Sequence, residues 1–350
     1  MLYDRAMHVS LIVPAPFEMV SGGYAYDRRI VAGLGALGHE VTVLPLPGRY
    51  PVTDDQARDA ACAAWDRLPA GTRPVIDGLA LPAFAGLDDA LAARDTFALI
   101  HHPTGLETGL EPAQRDSLLA LETRLFRRMV RLVATSQPTA ELLARDFTVD
   151  PARVRVVTPG TDDAPRAGGS GGPTCRILSV GTLVPRKGHD MLLHALARLF
   201  DLDWHLTIVG SPDRDPVCVH GLVALSEELG ISQRVRFAGE LVDAALEAEW
   251  QRADLFALAT HFEGYGMAVA EALKRGLPVV VTNGGAVGSL VDIHSGVVCP
   301  LGELDQLSKS LRRLIFGTAL RAELAEGAFR AGQSLPSWDQ QAALFADAIS

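Results

Sequence analysis

At 350 residues the chain is long enough for about two domains of roughly 150 residues each. Its 32 basic and 42 acidic side chains give a net charge of −10, and with 48% hydrophobic and 21% charged residues a disordered chain is excluded. The acidic balance also excludes broad electrostatic binding to nucleic acid or an anionic membrane, so an anionic ligand would need a local cluster of cations.

The first apolar run, Val9–Val13, ends at Pro14 and is too short for the core of a secretion signal. Ser21-Gly22-Gly23 then opens a helical stretch, which predicts a helix N-terminus over a glycine turn. Gly33-Leu34-Gly35-Ala36-Leu37-Gly38 fits the dinucleotide pattern G-x-G-x-x-G, but that chemistry needs a strand before it and a helix after it. Here a helical stretch precedes and the candidate strand Val41–Leu44 follows, so the segment reads as a helix end. Further strands are expected at Phe97–Ile100, which runs into His101-His102-Pro103, at Leu132–Ala134 before Ser136, and at Val154–Val157 before Gly160-Thr161-Asp162.

Ala164–Pro173 is rich in glycine and reads as a flexible linker, spanning about 17 Å as a random coil. It separates an expected first domain, residues 1–163, from a second, residues 174–336. The second half repeats the first pattern, with strands expected at Arg176–Val180, His205–Val209, Val235–Phe237, Leu255–Leu258 and Val279–Val281. Leu192, Ala195, Leu196, Leu199 and Phe200 have helical spacing between the first two. Strand runs without polar alternation, separated by helices, predict parallel sheets covered on both faces. The fold class is therefore α/β, with two doubly wound, Rossmann-like domains and ligands at the carboxyl ends of the strands. The amphipathic tail, Trp338–Ile349 within residues 337–350, is a terminal helix.

Cys62, Cys175, Cys218 and Cys299 form no C-x-x-C pair, which fits reduced thiols in a cytoplasmic protein. No apolar run approaches the roughly 18 residues of a membrane span. There is no G-x-x-x-x-G-K-[ST] tract, and the remaining histidines have no metal-site spacing.

Two segments carry chemistry. In His261-Phe262-Glu263-Gly264-Tyr265-Gly266-Met267-Ala268, followed by Glu271, two glycines let the backbone turn sharply into a helix. Its first amides, near Gly266, Met267 and Ala268, suit a phosphate, and Glu271 lies about one turn further in, where a carboxylate can hold vicinal hydroxyls. In Gly181-Thr182-Leu183-Val184-Pro185-Arg186-Lys187-Gly188 a strand ends in a basic turn, the local cation cluster that the acidic chain otherwise lacks.

The paired glutamates around a Gly-x-Gly turn resemble the E-x7-E element of retaining GT-B glycosyltransferases, family 4 (glycosyl transferases group 1). The basic turn is similar to that family's G-[RT]-L-x-x-x-K-G turn, with Thr182 standing where arginine is commonest and Arg186 as its substitute. Ala253–Phe256 before the first glutamate, Gly276–Val280 after the second, and Gly239 at a strand end keep the family's spacing. Relatives often carry glutamate near Gly288, so the role of that loop is left open.

The resemblance implies a GT-B fold with the two domains facing across a cleft, the tail helix crossing back to the first. It implies a retaining, metal-independent transfer of a hexose-type sugar from a UDP- or GDP-linked donor to a hydroxyl acceptor: a glycan, a lipid-linked sugar or a small molecule. No cofactor is expected, and membrane association is at most peripheral. Arg186 and Lys187 would stabilise the departing diphosphate, Glu263 would orient sugar hydroxyls and Glu271 the ribose. Gly181, Gly264, Tyr265, Gly266, Met267 and Ala268 would line the donor, as would the Gly22–Gly23 loop. The family's active-site histidine maps onto His101, with His102 as the alternative. A sugar-nucleotide epimerase or hydrolase, and a non-catalytic nucleotide-sugar-binding protein, are the rival readings.

Overall fold

The computed structural model describes residues 6–107 and 109–350. It divides into two compact units, the first closing at Gly160 but taking back Pro336–Ser350, the second running Thr161–Leu335.

The first unit is built on six parallel strands: β1 (His8–Pro14), β2 (Glu40–Leu46), β3 (Arg73–Asp77), β4 (Phe97–Ile100), β5 (Arg131–Ala134) and β6 (Val154–Val156). Their order in the sheet is β2-β1-β3-β4-β5-β6. Successive residues of these apolar runs feed opposite faces: Ile12, Ile76, Ala98 and Leu132 enter one core, and Leu11, Val13, Val75, Leu99 and Val133 the other. Strand β3 is absent from the sequence expectation because Arg73, Pro74 and Asp77 leave only Val75 and Ile76 as an apolar signal. The first helix, α1 (Gly22–Ala36), stops at a turn in which Gly38 takes φ +85°, so the Gly33–Gly38 segment is a helix end. The tail helix α12 (Trp338–Ala348) packs on α1 so closely that a Cβ on Gly33 would lie 2.4 Å from that of Ala342. It delivers Phe345, Ala346 and Ile349 to the core beside β1.

The second unit repeats the plan with β7 (Cys175–Val180), β8 (Trp204–Val209), β9 (Val235–Phe237), β10 (Leu255–Leu258), β11 (Val279–Thr282) and β12 (Gly296–Cys299), ordered β12-β11-β10-β7-β8-β9. Strand β12, opening on a glycine and only four residues long, also escapes the sequence pattern. The helix after β7, here α6 (His189–Ala197), is shorter than its spacing suggests: Leu199 is buried, but Phe200 is 79% exposed.

The glycine-rich run expected to be a flexible linker is instead tied to the second unit. Ala167 N–H donates to the Arg275 carbonyl, Gly168 and Gly169 to that of Gln251, and Ser170 N–H to Asp254 Oδ1 at 2.9 Å. Glycine frees the backbone to bend toward those acceptors, and satisfied hydrogen bonds then fix its path. Among the described residues no helix is long and apolar enough to cross a membrane.

In each sheet the chain starts on an inner strand, moves one way, then returns to the other side of its first strand. The reversal falls between β1 and β3 in the first unit and between β7 and β10 in the second. The carboxyl ends of those strand pairs are where doubly wound sheets form ligand crevices.

Candidate functional site

At the second unit's reversal point, β7 ends at Val180 and leads through Gly181 into a short 3-10 turn, Pro185–Lys187. Gly188 follows at φ +62°, and a Cβ there would lie 2.0 Å from the Ala259 carbonyl oxygen, just past β10. Glycine therefore lets the basic turn press against the end of the neighbouring strand. The contact is locked by His261 N–H donating to the Arg186 carbonyl at 2.8 Å, with Thr260 Oγ1 lying 3.0 Å from the same oxygen.

This brings together three of the residues singled out in the sequence. Lys187 Nζ lies 2.5 Å from Glu263 Oε1, Arg186 Nη1 lies 3.8 Å from that oxygen, and Arg186 Nη1 donates to the Phe262 carbonyl at 2.6 Å. Thr260 Oγ1 is 3.3 Å from Glu263 Oε1. Each of these contacts to the Glu263 carboxylate falls on Oε1; Oε2 makes no hydrogen bond to a described residue. Burial by itself would raise the Glu263 carboxyl, but the Lys187 and Arg186 charges, with hydrogen bonds from Lys187 and Thr260, hold it below its ordinary value. His189, buried immediately after the turn, is pushed down to about 4 by desolvation and by the Lys187 charge, so it stays neutral.

Beyond Glu263 the backbone bridges to Gly285 in parallel, Glu263 N–H donating to the Gly284 carbonyl and Ala286 N–H to that of Glu263. Gly266 then takes φ +108° and starts α9 (Met267–Lys274) with no side-chain cap, so Met267 and Ala268 form the first turn of an uncapped N-terminus. Gly264 is half-buried; Tyr265 is buried, and its phenol is pushed up to about 12 by desolvation. Glu271 is half-buried on the second turn of α9, and its carbonyl accepts from Arg275 Nη1 at 3.1 Å. Gly181 lies under the lysine: a Cβ there would be 3.2 Å from Lys187 Cδ. At Gly288 a Cβ would lie 2.4 Å from Asn283 Oδ1, so a side chain there would require the Asn283 amide to move.

The first unit carries a separate cluster at its own reversal point. His101 follows β4, and its Nε2 lies 2.9 Å from Asp27 Oδ1 on α1 and 3.3 Å from Asp77 Oδ2 at the end of β3. The ring also packs edge-on against Tyr26 at 5.2 Å, and a Cβ on Gly23 would sit 3.4 Å from its Cδ2. Gly22 is exposed at the first position of α1, whose start again lacks a side-chain cap. Of the two histidines, His101 is the one these carboxylates hold. Burial would lower its pKa, but the Asp27 charge and hydrogen bond, with those of Asp77, raise it well above the ordinary imidazole value. Asp27 is raised in turn, chiefly by burial, against the opposing charge of His101.

Asp27, Asp77 and Thr260 are not among the residues that sequence reasoning singles out. A carboxylate at the end of Pro74-Val75-Ile76-Asp77 is the signal available for one, and an aspartate on the otherwise apolar face of Tyr24-Ala25-Tyr26-Asp27 for another. Asp27, Asp77 and His101 are also the only described trio of metal-ligating residue types whose facing atoms lie within 4.8 Å, a closeness that imidazole–carboxylate hydrogen bonding accounts for.

Residues 162–331 match the family model described as glycosyl transferases group 1. The D-inositol 3-phosphate glycosyltransferase of Streptomyces bingchenggensis is 31% identical over 260 residues, covering 68% of this chain and 55% of that protein. The chain thus spans about half the length of the curated relatives it matches. Among solved structures, sucrose-phosphate synthase from Thermosynechococcus elongatus superposes with a TM-score of 0.81 at 19% identity, covering 97% of this chain and 98% of that one. HepE from Anabaena, solved in complex with UDP and glucose, gives 0.73 at 16% identity, covering 97% and 98%. At such identities the superpositions speak for the fold. Two parallel six-stranded sheets of this order are the GT-B fold, and within it residues 162–331 are a glycosyl transferases group 1 region.

Proposed function

We propose that the chain is a retaining glycosyltransferase, moving a hexose-type sugar from a UDP- or GDP-linked donor to a hydroxyl acceptor without a metal ion. The observation that carries this reading is the seating of the Arg186–Lys187 turn on Glu263, ahead of a helix start that no side chain caps. In an acidic chain this is a local concentration of positive charge and outward amides, the pairing that suits a diphosphate. As the bond to the sugar breaks, negative charge grows on the leaving diphosphate. Lys187, Arg186 and the α9 amides stabilise that charge without reorganising, in the place a metal ion would otherwise take.

Glu263 holds Lys187 through Oε1 and keeps Oε2 for a sugar hydroxyl. Its depressed pKa leaves it an acceptor at neutral pH. Glu271, one turn along α9, takes the ribose hydroxyls. Retention rests on the family resemblance, which also gives His101 of the first unit a contact to the sugar. The UDP and glucose bound by HepE favour a uridine nucleotide as the first donor to try.

The experiment is a panel of UDP- and GDP-sugars, each with glycan, lipid-linked and small-molecule acceptors and with EDTA present throughout. Release of nucleoside diphosphate is followed, and the product anomer is assigned by proton NMR. Acceptor-dependent release giving the donor's own anomer is the expected result. Release without acceptor would replace transfer by hydrolysis, an inverted anomer would overturn retention, and activity abolished by EDTA would overturn the metal-free reading.

A further inference from the structure

Two carboxylates share one imidazole nitrogen in the first unit. Asp27 is 1% exposed and Asp77 5%, so neither charge is shielded by water, and Asp27 Oδ2 is buried with no hydrogen-bond partner. Two buried anions this close repel unless a cation sits between them. The His101 ring is the group placed there, with Nε2 within 2.9 Å of one carboxylate and 3.3 Å of the other. Its second nitrogen, Nδ1, makes no hydrogen bond to any described residue and is not among the buried orphaned atoms.

We infer that Asp27 and Asp77 are positioning residues: together they hold His101 by Nε2 as an imidazolium and leave Nδ1–H as its one open donor, directed at an oxygen of the bound substrate. That contact to substrate rests on the glycosyltransferase reading; the clamp itself does not. A ring held this way is a fixed cation and donor, and it cannot serve as a general base, because its acceptor lone pairs are gone. The other groups facing the cluster leave the balance as it stands. Arg28, next along α1, lies close enough to oppose the rise in Asp27, yet its guanidinium is turned to the carbonyls of Phe17 and Met19. The Tyr26 hydroxyl donates to the Val157 carbonyl, and burial beside Asp27 keeps its phenol protonated. His102, the next residue along the loop, is half-buried.

The test is an NMR titration of ligand-free protein carrying 13C at the histidine Cε1, with the His101 resonance assigned by its loss in His101→Gln. In the wild-type chain it should keep the charged-form shift through pH 9 and titrate toward about 10. Asp27→Asn or Asp77→Asn should lower that midpoint by at least about 1 pH unit, and the alkaline limb of kcat/KM for nucleoside diphosphate release should move with it. A wild-type midpoint near the ordinary 6.5 overturns the inference whatever the aspartate variants do. So does a midpoint that neither variant moves, or stoichiometric metal in the purified protein that chelation removes together with the high midpoint. If the clamp titrates as stated while no nucleotide sugar is turned over, the clamp stands and the transferase reading falls. Transfer by a chain whose His101 titrates normally does the opposite: the transferase reading stands and the clamp falls.

Discussion

The ion pair at the centre of the second unit can be measured without any substrate. Lys187 and Glu263 have side chains only 14% and 11% exposed and touch at 2.5 Å. Replacing Lys187 by Met leaves a nearly buried carboxylate with Arg186 at 3.8 Å and one hydroxyl for company. Breaking a fully buried pair costs about 3–5 kcal/mol; the residual exposure and the second cation put this one near the lower end, at about 2–3 kcal/mol. Glu263→Gln strands Lys187 instead and should cost a similar amount. The double variant removes both charges, so its loss should fall short of the sum by about 2 kcal/mol, the coupling expected of partners in contact. Urea unfolding in a Trp65→Phe, Trp338→Phe background would read the second unit alone, since Trp204 and Trp250, both buried there, are then the remaining fluorophores. The pH dependence has a definite sign. The folded carboxyl lies below its ordinary 4.5, so the pair's contribution is full above that pH and is lost as pH falls through the folded value. In Lys187→Met that acid-side loss should shrink. Additivity of the two single losses to within about 0.5 kcal/mol would refute the coupling, because the charges would then not depend on each other.

Two further outcomes concern the loops that flank the clusters. Glu122, 1% exposed, accepts from Thr104 N–H, Thr104 Oγ1 and Gly105 N–H and so anchors the loop after His101, but burial raises its carboxyl from 4.5 to about 6 despite those bonds. Its folded form binds a proton more tightly than its unfolded form, so stability relative to Glu122→Gln should decline by up to about 2 kcal/mol as pH rises from 4.5 through 6; a difference flat with pH in urea melts would contradict this. Gly188→Ala must relieve both a left-handed φ of +62° and a Cβ 2.0 Å from a backbone oxygen, so a loss of about 2–4 kcal/mol is expected, and an unchanged urea midpoint would show that the basic turn does not sit against β10.

How much of this is visible in the chain depends on the distance over which each feature is determined. Parallel strands announce themselves locally: Phe97–Ile100 and Leu255–Leu258 are unbroken apolar runs because both faces of the sheet are covered. β3 lies inside its sheet and β12 at the edge of its own, yet Pro74 interrupts one and Gly296 opens the other, and pairing with β1 and with β11 rather than their own composition holds them in register. Likewise Ala164–Pro173 has the composition of a linker, but whether its amides find acceptors is decided by Gln251, Asp254 and Arg275, far along the chain.

The two clusters divide on the same line. In the second unit each half of the site is a contiguous turn, Gly181–Gly188 and His261–Ala268, so the residues can be read without knowing that they meet; what stays hidden is that Glu263 commits one oxygen to Lys187 and keeps the other open. In the first unit Asp27, Asp77 and His101 come from a helix, a strand end and a loop with no shared spacing, and only the strand order makes them neighbours. Because β3 returns to the far side of β1, the end of β3 is set beside the helix that follows β1, and an aspartate from each meets the histidine that follows β4. The same reversal between β7 and β10 seats the basic turn on Glu263. In both units a charge network has formed where the winding of the sheet changes direction, and its members are fixed by topology rather than by proximity in the chain.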